Sequence, residues 1–78
     1  GDKAGSLVRL TLASPDPDDL TLRQARLLGR ADRLFHRPDV PAAILDRARA
    51  DAARIACPSS PADPGAGLSL DISMEATP

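Results

Sequence analysis

The sequence contains no Trp, no Tyr and a single Phe in 78 residues. The core is therefore denied its largest side chains. Hydrophobic residues make up 42% of the chain, but 14 of them are Ala, so the side-chain volume available for packing is small. A chain of this length buries only about 60% of its unfolded surface, and such a core rarely supplies more than ~3–5 kcal/mol. Staples are scarce too. One Cys excludes an internal disulfide, and one Cys with one His cannot close a zinc site, so no metal is expected. What remains is oligomerisation or membership in a larger chain.

Other absences exclude further classes. There is no run of roughly 18 apolar residues, so no membrane partner is expected. The opening GDKAGSLVRL lacks the long apolar stretch and small-residue cleavage site of a signal peptide. A secreted domain of this size normally carries paired cysteines, which points to a cytoplasmic, reducing setting. The net charge of −1 argues against a nucleic-acid partner. The charge is nevertheless uneven. Residues 1–20 carry −2, residues 21–57 carry eight Arg against four Asp for +4, and residues 58–78 carry −3.

What is present reads as alternating strands and helices. Residues 1–6 are small and polar, a loose leader that resembles a tag remnant. Leu7–Leu12, LVRLTL, reads as a strand ending at the Pro- and Asp-rich turn ASPDPDD. Thr21 followed by Gln24 fits a capping box, with Leu20 and Ala25 placed for a hydrophobic staple. The helix that follows has Leu20, Leu27, Leu28 and Ala31 on its buried side and Arg23, Arg26 and Arg30 on the other. It should stop between Gly29 and Asp32. Arg33–His36, RLFH, reads as a second strand. Asp39 and Pro41 then start a second helix over 40–52, with Val40, Ile44, Ala48 and Ala52 along one side. Arg54–Cys57 reads as a third short strand. The expected fold is α/β, a small three-layer βαβαβ unit over 7–57 with a mainly parallel sheet. Residues 58–78 form a Pro- and Gly-rich tail in which 67–73, alternating at Leu68, Leu70 and Ile72, offers a half-exposed fourth strand.

The chemistry-bearing residues are few. The Arg-rich middle could hold phosphate or carboxylate. It lacks interleaved aromatics and is diluted by Asp, so two solvated helix faces are the simpler reading. His36 stands at the carboxyl end of a strand, where parallel sheets place ligands, but no acid–base partner can be assigned to it. Cys57, within an apolar run, reads as a small buried hydrophobe. The turn ASPDPDD is the most informative. Phosphate-binding turns at this place are rich in Gly because the backbone must approach the ligand. Here there is no Gly, two prolines remove N–H donors, and three Asp repel anions.

The run from Val8 to Ile55 resembles the opening of the tetrapyrrole methyltransferases, in particular uroporphyrinogen-III C-methyltransferase, the enzyme portion often fused to siroheme synthase. That family opens with a strand, then G-A-G-P-G-D-P, then an L-T-L helix, then A-D-V-V and a Tyr-Asp pair. A proline-started helix rich in Ala and Arg follows. Asp16, Pro17, Leu20, Thr21, Leu22, Leu27, Leu28, Ala31 and Asp32 match this pattern in order, and VPAAILDRARADAARI matches the second helix. The departures are equally specific. The glycine loop is reduced to Ala13, Ser14, Pro15, Asp16 and Pro17, with every Gly gone, and His36 and Arg37 replace the Tyr-Asp pair. The chain also stops before the family's second domain.

The resemblance implies a cleft for S-adenosylmethionine and a tetrapyrrole lined by Ala13, Ser14, Pro15, Asp16 and Pro17, with His36 at the next strand end. A methyl group would pass there to a pyrrole carbon. Given the lost glycines, the expectation is a remnant of this siroheme-pathway transferase that is inactive alone and binds no cofactor by itself. The alternative is a non-catalytic oligomerisation or stabilising module of a siroheme synthase. The family also places a later strand between its first and second strands. Either 67–73 or a second copy of the chain must fill that gap, so the expected partners are a homodimer or a siroheme-synthase parent chain.

Overall fold

The computed structural model describes residues 5–75. Four strands and two helices follow one another as β1 (Ser6–Leu12), α1 (Leu22–Arg30), β2 (Arg33–His36), α2 (Ala42–Leu45), β3 (Ala53–Ala56) and β4 (Leu68–Met74), with a 3-10 turn at Pro17–Asp19. The strands form one sheet in the order β1-β4-β2-β3, and every neighbouring pair is parallel. The α/β class and the parallel sheet are as expected from the sequence. The tail strand is real, and it fills the gap between β1 and β2 within the same chain. The sheet therefore does not need a second copy to join its first strand to the rest. Residues 1–4 of the expected loose leader and residues 76–78 of the tail lie outside the described residues, while Ser6 already belongs to β1.

Connection handedness explains the layers. The steps β1→β2 and β2→β3 run in one direction across the sheet, and β3→β4 runs back. Right-handed crossovers then put α1 and α2 on one face and the 57–67 connection on the other. The contacts agree. On the helical face, Leu28, Ala31, Val40, Ile44 and Leu45 pack with Leu10, Leu12, Leu34, Leu70 and Ile72 in a single buried cluster. On the other face, Ser60 reaches Asp71 and Arg33 reaches the carbonyls of Pro64 and Ala66. The third layer is thus a loop in place of a helix.

Local chemistry sets the element ends. Thr21 Oγ1 accepts from Gln24 N at 3.0 Å, and Gln24 Oε1 accepts from Thr21 N at 2.9 Å, completing the capping box at the start of α1. Leu28 is fully buried and Leu20 and Leu27 pack against the core, as their spacing implies. The second helix is corrected: α2 covers only Ala42–Leu45 instead of 40–52. Pro41 supplies no side-chain cap, and the chain continues through turns with Arg47 N bonded to Ile44 O and Ala48 N to Leu45 O. Asp46, at the end of α2, accepts from Arg54 of β3 at 2.9 Å, and the chain must turn here to enter β3 at Ala53, so the tertiary path overrides the helix propensity of the Ala- and Arg-rich stretch. Val40, Ile44 and Ala52 are still buried, as the pattern demanded.

Two strands differ in detail from their sequence reading. The third spans Ala53–Ala56, not Arg54–Cys57, and is exposed along its length as an edge strand. The fourth is not half exposed. Leu70 and Ile72 are buried against the helices, and Ser69 and Asp71 are buried on the opposite face. A strand in the middle of a sheet covered on both sides has no solvent face, so its polar residues go inside as well.

Candidate functional site

The carboxyl end of β1 and the start of α1 enclose a hollow of about 160 Å³ lined by residues that include Leu12, Ala13, Ser14, Asp16 and Asp19. Ala13, Ser14 and Asp16 are therefore where the sequence placed them, beside the N-terminal turn of the helix. Pro15 and Pro17 belong to the same turn but not to the lining. The polar groups here are turned to one another. Ser14 Oγ donates to Asp19 Oδ2 at 2.6 Å and accepts from Asp16 N at 3.1 Å. Asp16 Oδ1 accepts from Asp18 N at 2.9 Å. The amide of Gln24 is used by Thr21, and the amide of Thr21 by Gln24. The amides of Asp16, Asp18, Thr21 and Gln24 are thus occupied internally, and Asp16, Asp18 and Asp19 give the turn a negative charge that disfavours an anion.

His36 does not join this hollow. It ends β2, which β4 separates from β1. Its Nδ1 lies 3.0 Å from the carbonyl oxygen of Arg37. The sequence reading brought Ala13–Pro17 and His36 to one cleft; the structure leaves them at separate strand ends.

A second constellation lies where His36 does. The connection after β2 leaves toward the helical face and the one after β3 toward the opposite face. Adjacent strands with diverging connections form the crevice in which open α/β sheets take ligands. Arg37, just past β2, is paired with Asp71 of β4 through a short contact between Nη2 and Oδ1, with side chains only 17% and 7% exposed. Ser60 Oγ donates to the other Asp71 oxygen through a similarly short contact. Arg37 Nη2 also lies 3.4 Å from Cys57 Sγ. Among the described residues Arg37 Nε is buried without a hydrogen-bond partner. Cys57 is not the deeply buried hydrophobe of the sequence reading; it is a half-buried free thiol just past β3.

Sequence reasoning missed this network because Asp71 was read as solvent-facing. The available signal was topological: a strand filling a central gap must bury both of its faces. The basic middle is in part neutralised by Asp, while Arg23, Arg26 and Arg30 are exposed on α1. Arg47 pairs with Asp18, Arg49 with Asp32 and Asp51, and Arg54 with Asp46. Among the described residues no group of three or more His, Cys, Asp or Glu is arranged to hold a metal ion. No helix there is long and apolar enough to cross a membrane.

A siroheme synthase from Gluconacetobacter diazotrophicus is 43% identical to this chain over 56 residues, which are 70% of the chain and 12% of that protein. The chain is thus similar to a small part of a siroheme synthase. No protein-family model matches it.

Proposed function

We propose that the chain is a non-catalytic α/β unit related to the opening strand–helix portion of a tetrapyrrole methyltransferase of siroheme biosynthesis. The observation that carries this reading is the internally satisfied β1–α1 turn. A loop that receives S-adenosylmethionine must leave room and free backbone donors, which is what glycines supply. Here Ser14, Asp16 and Asp19 fill that role for one another, and Pro15 and Pro17 have no N–H to offer. The turn does not fit the cofactor, and no methyl-transfer step is assigned to its residues. The similarity to part of a siroheme synthase supports the ancestry.

The test is direct. The protein is incubated with radiolabelled S-adenosylmethionine and uroporphyrinogen III, and product is compared with a protein-free control. Methylation at background is expected, together with no heat on calorimetric titration with millimolar S-adenosylhomocysteine. Turnover above background would refute the reading.

A second reading, an association or stabilising module for a siroheme-synthase chain or a second copy, is favoured by the sheet edges. Among the described residues β1 is paired only with β4, and β3 only with β2, and Ile55 on β3 is 38% exposed. Open edges invite pairing. Sedimentation velocity at micromolar concentrations decides between them: a dimer favours association, and a monomer, alone and when mixed with the synthase, removes it.

A further inference from the structure

The connection from β3 to β4 is unusual in what holds it. Residues 57–67 cross the sheet face that the helices leave bare, yet the segment buries none of its own side chains. Pro61 and Pro64 are half-buried and the residues between Pro58 and Gly67 are otherwise exposed. Beneath this face lie Phe35, Ser69 and Asp71, all buried. Among the described residues the backbone bonds tying the segment to the sheet are at its two ends: Cys57 N to His36 O at 2.9 Å, and Ser6 N to Gly67 O at 2.9 Å. Between them the hold is polar and made by side chains. Ser60 donates to Asp71, which is fixed in turn by Arg37. Arg33 Nη1 reaches Pro64 O at 2.9 Å and Ala66 O at 2.7 Å, and touches Ser69 Oγ at 3.1 Å.

We propose that residues 57–67 form a latched strap, a lid that opens as a unit over the crevice at the carboxyl ends of β2 and β3 while the sheet stays folded. Local opening draws on segments with little apolar burial and few backbone bonds, and the strap has both properties. Its latches are two: Ser60 on Asp71 near the crevice, and Arg33 on the two carbonyls near β4. Releasing the first frees Asp71 and Arg37 and carries Cys57 away from the Arg37 guanidinium into solvent. The crevice so opened is lined by Arg37, Cys57 and Asp71 on the strap face, while His36, in register with Ile72, belongs to the helical face. The strap is independent of the reading of the β1–α1 turn, which lies beyond β4.

Cys57 is the sole cysteine, so its thiol reports opening without an added label. Native-state alkylation by iodoacetamide is measured beside amide exchange at Leu34 and Leu70, which report the sheet. Ser60→Ala, at an exposed residue, removes one hydrogen bond and is expected to raise the alkylation rate about fivefold with exchange at Leu34 and Leu70 unchanged. Arg33→Met is expected to act in the same direction from the other latch. An alkylation rate equal to wild type in both variants overturns the proposal. So does a rate that rises only in step with exchange at Leu34 and Leu70, since the segment would then open only with the whole sheet.

Discussion

Asp71 illustrates what a single position does in this fold. It sits on a central strand facing away from the helices, and its charge is met by Arg37 and Ser60. Breaking a buried pair by removing one partner is costly, whereas replacing both with apolar groups is often tolerated. Arg37→Met alone is thus expected to destabilise by about 3 kcal/mol, and the double variant Arg37→Met/Asp71→Leu by less; urea unfolding of both checks the order. Gly67 is a second such position. Its φ is +86°, and a Cβ there would collide with the Asp32 carboxylate, which accepts from Leu68 N at 2.9 Å. Gly67→Ala should cost about 1–3 kcal/mol, read as a lower urea midpoint with unchanged slope. Neither role was legible in the sequence. Alternation of Leu68, Leu70 and Ile72 identified the strand, but a period of two says only which residues share a face. Whether the other face meets water depends on what covers it.

At the scale of elements, the readable parts were those with local chemistry. Thr21 and Gln24 announced the start of α1 through a capping box that the structure contains, and RLFH is β2 residue for residue. Thr21→Ala removes an acceptor for Gln24 N and should cost about 1 kcal/mol, measured by thermal unfolding. Leu28→Ala, at a fully buried position, should cost about 2–5 kcal/mol. The second helix was over-read for a physical reason. Ala and Arg favour helix in isolation, but Asp46 and Arg49 are committed to Arg54, Asp32 and Asp51, and the chain must reach β3 by residue 53. The candidate site was partly legible on the same grounds. The glycine-free turn could be judged by its residue types alone, while the network of Arg37, Cys57, Ser60 and Asp71 draws on three strand ends and a loop that only the topology unites.

For the whole molecule, the small core is made sufficient by topology: β4 runs up the middle of the sheet and contributes Leu70 and Ile72 to the single buried cluster. Removing residues 67–78 should leave β1 unpaired and abolish cooperative unfolding by circular dichroism. The same architecture leaves a β1–α1 turn whose polar groups bond to one another, and the proposal above is that it takes no S-adenosylmethionine. Its most direct test is an amide-resolved NMR titration of the protein with S-adenosylhomocysteine to millimolar concentration. No saturable shift is expected at the amides of Ser14, Asp16, Asp19, Thr21 and Gln24. Saturable shifts centred on those residues would contradict it.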